Sequence, residues 1–183
     1  MSSPTDSQIA ESAILPQLTF DTLPQALRQG VVQAGWTELM PVQSKAIPYL
    51  LAGREMMIQA RTGSGKTGAF LLPMLERLNS DRACCQALVL VPTRELAKQV
   101  WEVAETVCRD TGLRTVAVYG GGGYGTQMEG LKSGAQIVVG TPGRVLDHLL
   151  RRTLSLDDLR MRVFDEADRM LSMGFYPDMQ EVQ

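Results

Sequence analysis

The fold is decided by residues 56–67, which read Met-Met-Ile-Gln-Ala-Arg-Thr-Gly-Ser-Gly-Lys-Thr. The apolar start of this stretch predicts a short buried strand, and apolar residues recur at helical spacing after it. These helical positions are Phe70, Leu71, Met74, Leu75 and Leu78. A strand, a glycine-rich loop and a helix in that order are the setting that a phosphate-binding loop requires.

The loop residues have the chemistry needed to hold a nucleoside triphosphate. Gly63 and Gly65 let successive backbone N–H groups turn toward one anion, because no Cβ stands in the way. Lys66 supplies a mobile charge for the outer phosphates, and the Thr67 hydroxyl is a ligand for Mg²⁺, which prefers oxygen. Other nucleotide-binding candidates in the loop are Arg61, Thr62 and Ser64. A glycine-rich turn without a ligand is the alternative, which the flanking pattern disfavours.

An acidic group, Asp165-Glu166-Ala167-Asp168, follows a second strand-like run at residues 161–164. A carboxylate at a strand end, here Asp165, can hold Mg²⁺ directly or through water. Glu166 beside it can orient or deprotonate an attacking water. By itself the group could equally be an acidic helix start, which the helix dipole favours. Together with the glycine loop it predicts a site that hydrolyses a nucleoside triphosphate, with Lys66, Asp165 and Glu166 as the catalytic residues.

Composition limits the classes of protein that this chain can belong to. Its 183 residues are enough for one sizeable core. A net charge of −2 excludes a general basic field, so any nucleic-acid binding must come from individually placed groups. Three cysteines without metal-ligand spacing predict buried or free thiols in a reducing compartment. The single histidine, His148, is expected to be packed or solvated and not a metal ligand.

The two ends of the chain differ in character. Residues 1–17 are polar and lack an early Lys or Arg, so they predict a disordered leader and not a secretory signal. No apolar run approaches membrane length, so we expect no membrane contact and a cytoplasmic location. Residues 18–183 are expected to form one domain.

Strands and helices are predicted to alternate along that domain. Leu23, Leu27 and Val31 indicate a first helix within 18–34, which Gly35 ends. A second helix is predicted over 41–52, bent at Pro48. The predicted strands are 55–60, 86–91, 114–119, 136–140 and 161–165, and the predicted helices are 66–78, 93–109, 123–132, 143–151 and 166–172. Strands rich in Val, Leu and Ile without polar alternation indicate a parallel sheet. The fold class is therefore α/β, a doubly wound, mostly parallel sheet with helices on both faces.

Every unusual motif lies at a strand-to-helix junction. In such sheets ligands bind outside the carboxyl ends of the strands, so these motifs should share one edge. Thr93 and Thr141 stand at N-cap positions and Pro142 at a first helical position. Each alone indicates only a capped helix, but a capped helix N-terminus is also an anion site. Two of them beside Gly120-Gly121 and Arg144 could follow a sugar–phosphate backbone, without reading base sequence.

With these motifs in order, residues 18–175 resemble the DEAD-box family of ATP-dependent RNA helicases. The resemblance implies the first of two RecA-like domains, with ATP, ADP as product and Mg²⁺ as cofactors. It implies Mg²⁺ binding by Asp165, water activation by Glu166 and contact with the second domain at Asp168. This family commonly has Ala at the start of the loop, as Ala60 does here.

The resemblance also implies a segment that recognises adenine. Phe20, Gly35, Trp36, Pro41 and Gln43 match it, and we expect Phe20, Trp36 and Gln43 to contact the nucleotide. A glutamine amide can pair with N6 and N7 of adenine, and an aromatic ring can stack on the base, so ATP should be preferred over GTP. The chain departs from the family at Leu39-Met40, where Pro-Thr is usual, and at Ser172, where Asp is frequent.

RNA is the partner that the resemblance implies, gripped by its sugar–phosphate backbone, mainly single-stranded and without sequence specificity. The candidate RNA-binding residues are Pro92, Thr93, Arg94, Gly120, Gly121, Thr141, Pro142, Gly143 and Arg144. The chain stops at Gln183, before the Ser-Ala-Thr motif of the family and before its second domain. An arginine finger from such a domain is worth roughly 10³–10⁵ in rate in related NTPases. We therefore expect a monomeric fragment that binds adenine nucleotide and hydrolyses little.

Two alternatives to an RNA helicase exist, of which the first would use the same residues. An ATP-gated RNA clamp, or a factor that remodels RNA–protein complexes, would hold RNA and not separate a duplex. A phosphate-loop ATPase that acts on DNA or on protein is disfavoured by Gln43 and by the Thr-Pro-Gly-Arg motif at 141–144.

Overall fold

The computed structural model describes residues 14–181, and side chains as far as residue 178. Most of the expected leader therefore lies outside the described residues. From Phe20 onward the chain forms a short 3-10 turn, Phe20–Thr22, and then helices and strands. Among the described residues no helix combines the length and the apolar character that crossing a membrane would take.

Eight α-helices and four β-strands make up the described part of the chain. The helices are α1 (Gln25–Gln33), α2 (Pro41–Leu51), α3 (Lys66–Arg77), α4 (Arg94–Val107), α5 (Tyr124–Lys132), α6 (Pro142–Leu150), α7 (Ala167–Ser172) and α8 (Tyr176–Glu181). The strands are β1 (Ala87–Leu90), β2 (Thr115–Val118), β3 (Ile137–Gly140) and β4 (Met161–Phe164).

The four strands form one parallel sheet in the order β2-β3-β1-β4. Ala87 at the start of β1 pairs with Ile137 of β3 on one side and with Met161 of β4 on the other. Because all strands run the same way, the loops after them leave from a single edge of the sheet. This edge brings residues 91–93, 119–123, 141 and 165–166 together.

Helices cover both faces of the sheet, which confirms the predicted doubly wound α/β class. Ala87 and Val89 pack in one buried cluster with residues of α1 to α4. Leu88 and Leu90 pack in a second cluster, which also contains Val145 of α6. Alternate residues of a strand face opposite sides, so a strand that is buried on both sides must be apolar throughout.

The predicted strand at 55–60 is wrong. Residues 54–60 form no ladder with any described strand, and β4 is an edge of the described sheet. The Met57 side chain is 97% exposed and that of Met56 is 39% exposed. Strand formation needs a neighbour whose backbone groups pair with its own, and an apolar run cannot supply one.

The other boundaries follow the predictions within a few residues. Gly35 ends the first helical segment in a left-handed conformation (φ 70°), and the Trp36 N–H donates to the Val31 carbonyl at 3.0 Å. Pro48 lies inside α2. Helix α8 was not among the predicted elements. The cysteines are free thiols, as expected, and burial raises the pKa of Cys85 and of Cys108 to about 12.

Candidate functional site

A pocket of about 540 Å³ opens at the carboxyl edge of the sheet. It joins the loop after α1, the glycine loop, α4 and the acidic group. Its lining residues are Gly35, Trp36, Thr37, Glu38, Met40, Gln43, Thr62, Gly63, Gly65, Lys66, Thr67, Leu96, Asp165 and Glu166. The two half-sites inferred from sequence, 60–67 and 165–166, therefore meet in one cavity.

The glycine loop packs directly on the segment before α2. Gly65 is the N-cap of α3 with φ 90°, a conformation that residues with a Cβ rarely adopt. A Cβ placed on Gly65 would lie 2.6 Å from Met40 Sδ and 2.9 Å from Gln43 Nε2. Close approach of backbone to side chain thus requires glycine at this position.

Lys66 is bonded within its own loop. Its ammonium donates to the Ala60 carbonyl at 2.6 Å and to the Arg61 carbonyl at 3.0 Å. The Ser64 hydroxyl is buried without a hydrogen-bond partner in the described part of the chain. A buried polar group in that state suits an incoming ligand that can bond with it.

Gln43 is also engaged inside the chain. It is buried, its Oε1 accepts from the Met40 N–H at 2.9 Å, and its Nε2 donates to the Gly65 carbonyl at 3.1 Å. The amide therefore braces the glycine loop against the segment before α2. Its predicted contact with adenine would replace at least one of these bonds, and it stays a prediction.

The aromatic candidates lie in different settings. Trp36 lines the pocket, and its ring lies against Gly68 in α3. Phe20 does not line the pocket but packs beside the core, with the Arg28 guanidinium carbon 5.8 Å from its ring centroid. Stacking of Phe20 on a base remains a prediction, and in this conformation the ring is not part of the pocket wall.

Asp165 and Thr67 bring oxygen donors to the same pocket. Burial raises the pKa of the Asp165 carboxyl, and the positive charge of Lys66 partly opposes that shift. The Glu166 N–H donates to Asp165 Oδ1 at 3.1 Å. In the described range no three His, Cys, Asp or Glu side chains cluster as a metal site. Any Mg²⁺ here would need ligands from phosphate and water as well.

Glu166 has a strained backbone. It is the N-cap of α7 with φ 53° and ψ 46°, in the left-handed region that costs a non-glycine residue about 1–3 kcal/mol. Its carboxylate accepts from Arg169 at 3.3 Å. Strain of this kind concentrates at functional sites. Asp168, in the first turn of α7, is exposed, and its role toward a second domain is untested.

The predicted RNA-binding residues are brought together at the neighbouring part of the edge. Thr93 caps α4, because its hydroxyl accepts from the Leu96 N–H at 3.2 Å, as predicted. Gly121 has φ 79°, and a Cβ on it would lie 3.1 Å from a terminal nitrogen of Arg94. The loops after β1 and β2 therefore touch. Pro92 and Gly120 lie beside these residues.

Gln127 of α5 ties the remaining motif to those loops. Its Nε2 donates to the Tyr119 carbonyl at 3.0 Å, and its Oε1 accepts from Arg144 at 3.3 Å. Pro142 begins α6 as predicted; Thr141 is its N-cap residue but makes no side-chain capping bond. The Gln127 side chain of α5 thus links the motif at 141–144 to Tyr119, at the start of the loop after β2.

Several contributing residues were not predicted. Thr37, Glu38, Met40 and Leu96 line the pocket, and Tyr124, Gln127 and His148 surround Arg144. The available signals were the position of Thr37, Glu38 and Met40 within the predicted adenine segment and that of Leu96 just after Thr93. His148 is packed without exposed surface, as expected.

Comparisons with known proteins agree with this geometry. The family model described as DEAD/DEAH box helicase matches residues 40–183. The chain is 46% identical over 169 residues to "ATP-dependent RNA helicase DeaD" of Haemophilus influenzae, covering 91% of this chain and 28% of that protein. It is 46% identical over 160 residues to "ATP-dependent RNA helicase CshA" of Listeria monocytogenes, covering 87% and 31%.

Solved structures show the same similarity. A DEAD box protein from Methanococcus jannaschii matches with a TM-score of 0.83 at 38% identity, covering 91% of this chain and 46% of that one. A hypothetical ATP-dependent RNA helicase from Sulfolobus tokodaii matches with a TM-score of 0.79 at 36% identity, covering 87% and 46%. The chain spans less than a third of the length of the two curated relatives above and under half of each solved chain.

Proposed function

Because this chain belongs to the DEAD/DEAH box helicase family, we propose that it is the ATP-binding and RNA-binding first RecA-like domain of an ATP-dependent RNA helicase. One observation carries the proposal. The start of α4 touches both the pocket and the candidate RNA-binding loops: Leu96 lines the pocket, while Arg94 lies against Gly121 in the loop after β2. A movement of this short segment would therefore change the contacts available to both proposed ligands.

ATP would bind with its phosphates at the glycine loop. The Lys66 ammonium would leave the Ala60 and Arg61 carbonyls for phosphate oxygens, and Thr67 with Asp165 would hold Mg²⁺. The half-buried Asp165 carboxylate and the unpaired Ser64 hydroxyl fit such a ligand set. The metal would neutralise charge that develops on the phosphates.

Hydrolysis would depend on Glu166 and on a second RecA-like domain. Glu166 lines the pocket beside Asp165, where its carboxylate can orient a water once the bond with Arg169 is released. Asp168 is exposed and open to contact from a second domain. Without the arginine finger of such a domain, we expect this chain to bind adenine nucleotide and to hydrolyse little.

RNA would run along the loops after β1, β2 and β3. The groups offered there are helix N-termini, close-approach glycines and two arginines, which suit phosphates and sugars and not base edges. Single-stranded RNA held by its backbone, without sequence specificity, is the ligand that this chemistry fits.

The proposal is tested by comparing RNA with DNA of the same sequence. Fluorescence anisotropy at low salt would measure binding of each labelled single strand to the 183-residue chain, because phosphate contacts weaken as salt rises. We expect tighter binding of RNA, since 2′-hydroxyl contacts are available only there. Equal affinity for the two strands would contradict the RNA assignment.

Joining the chain to a second RecA-like domain from a relative tests the helicase step. We expect RNA to stimulate ATP hydrolysis and a short labelled duplex to separate, and a Glu166→Gln variant to retain ATP binding but lose turnover. If the joined protein retains RNA but separates no duplex, the result would instead indicate an ATP-gated RNA clamp.

A further inference from the structure

The guanidinium of Arg144 is held by groups from a helix other than its own. Its central carbon lies 5.3 Å from the ring centroid of Tyr124, which begins α5, and a terminal nitrogen donates to Gln127 Oε1 at 3.3 Å. Arg144 itself is in the first turn of α6. A long, flexible side chain is thus fixed across two helices that follow different strands.

His148 supports the aromatic ring that Arg144 contacts. The imidazole stacks on Tyr124, with 4.7 Å between ring centroids and 12° between planes, and it has no exposed surface. Its Nε2 lies 3.4 Å from Gln127 Oε1, and its Nδ1 lies 2.8 Å from Thr153 Oγ1. Stacking and hydrogen bonds together fix the ring geometry on which Arg144 rests.

Arg151, on the same helix, shows why Arg144 is the arginine available to a ligand. Both guanidinium groups lie near Tyr124, at 5.2 Å for Arg151 and 5.3 Å for Arg144. Arg151 pairs with the Asp147 carboxylate at 2.7 Å. Within the described part of the chain Arg144 has no carboxylate partner, so its charge remains open to an anion.

We propose that Tyr124, Gln127 and His148 are positioning residues that hold Arg144 for contact with an RNA phosphate at the predicted RNA-binding edge, which is formed by residues 92–94, 120–121 and 141–144. This inference rests on the proposed function. An arginine that is ordered before binding loses less rotamer entropy when a phosphate arrives, so its contact contributes more to affinity. The three residues act through Arg144 and need not touch RNA.

The face of the Tyr124 ring, and not its hydroxyl, is the group that matters. That hydroxyl is buried and has no hydrogen-bond partner among the described residues. A Tyr124→Phe variant should therefore retain the positioning, because it keeps the ring and removes no hydrogen bond. Tyr124→Leu keeps most of the apolar volume but removes the π face that attracts a cation.

The test is a double-mutant cycle on RNA affinity, measured by anisotropy with a labelled single-stranded RNA. We expect Arg144→Ala to weaken binding about tenfold, as the loss of one charged hydrogen bond does. Tyr124→Leu should weaken it about two- to fivefold in the parent chain, the range of a cation–π contact, and have no effect in the Arg144→Ala background. Tyr124→Phe should bind the RNA with the same affinity as the parent chain.

Tyr49 and Arg54 form a matched control pair, because the Arg54 guanidinium carbon lies 5.7 Å from the Tyr49 ring centroid. Tyr49→Leu should leave RNA affinity unchanged. ADP affinity and the thermal midpoint of each Tyr124 variant report whether the fold is intact, and a Tyr124→Leu variant that fails to fold is replaced by Tyr124→Met, which also lacks a π face. Additive effects of Tyr124→Leu and Arg144→Ala would overturn the positioning role. An Arg144→Ala chain with parent affinity would instead overturn RNA binding at this edge.

Discussion

The pocket around Lys66 and the predicted RNA-binding edge around Arg144 lie side by side, but their cations are held by different parts of the chain. In the pocket, the Lys66 ammonium is bonded to the Ala60 and Arg61 carbonyls of its own loop. At the predicted RNA-binding edge, Arg144 is held by the ring of Tyr124 and the amide oxygen of Gln127, which belong to a different helix. Lys66 is thus held within its own loop, whereas Arg144 is held across two helices.

This difference has an energetic consequence for each ligand. If a nucleotide binds through Lys66, it replaces hydrogen bonds that already exist, so its apparent affinity is lowered when the open loop conformation is rarely populated. An RNA phosphate that contacts Arg144 as proposed would meet a side chain already in place and would lose less binding free energy to ordering. Gln43 resembles Lys66 in this respect, because both ends of its amide are already hydrogen-bonded to the chain.

The largest expected effect comes from removing the pocket's cation. Lys66→Ala should weaken ADP binding about 100-fold, since a hydrogen bond between charged groups contributes about 3 kcal/mol. RNA affinity measured without nucleotide should not change, because Lys66 lines the pocket and is not among the predicted RNA-binding residues. Calorimetry with Mg²⁺ and ADP measures the first quantity, and anisotropy the second. Lys98→Ala is the matched control, because Lys98 is exposed on α4 and lies 3.9 Å from Glu102. ADP affinity like that of the parent chain would refute the loop assignment.

The next prediction tests how closely the glycine loop packs against Met40 and Gln43. A Cβ at Gly65 meets both left-handed strain and the Gln43 amide, whereas a Cβ at Gly63 (φ 76°) meets open space within 4 Å. We expect Gly63→Ala to lower the unfolding free energy by about 1–2 kcal/mol, the strain of a left-handed residue. Gly65→Ala should add about 1–3 kcal/mol from overpacking.

Urea unfolding of the two glycine variants gives the comparison directly. The Gln43 side chain cannot easily swing away, because both ends of its amide are bonded. Equal losses in the two variants would show that the brace between Gln43 and the loop constrains nothing.

The smallest expected effect concerns His148, which stacks on Tyr124 at the predicted RNA-binding edge. Burial lowers the pKa of His148, the positive charges of Arg144 and Arg151 lower it further, and Asp147 opposes them. The other groups that face its ring are Tyr124 and Gln127 of α5 and Thr153.

The sign of the pH dependence follows from that lowered pKa. The unfolded chain binds the proton first, so the unfolding free energy falls as pH drops below about 6.5, the ordinary His value. His148 is the only histidine in the chain, so His148→Gln should remove this part of the slope. Urea unfolding between about pH 5.5 and 7.5, the range in which histidine titrates, measures it. Parallel curves for the two proteins would show that His148 does not titrate differently on folding.

Sequence reasoning succeeded where the chemistry is local. The glycine loop before α3, the cap at Thr93 and the proline at the start of α6 are each specified by a few consecutive residues. It failed at residues 55–60, whose apolar run predicts a strand, because pairing depends on a distant neighbour. It also missed the cluster around Arg144, which no spacing in the chain reveals.

By itself, then, the sequence determined the alternation of strands and helices, the phosphate loop and the acidic group, and the family to which they belong. Hydrophobic periodicity and turn chemistry act over a few residues, so they can be read along the chain. Only the tertiary structure decided that Lys66 and Gln43 are bonded around the glycine loop while Arg144 rests on Tyr124 and Gln127 of another helix. Those contacts join residues from separate elements, and the packing of the sheet brings them within hydrogen-bond distance.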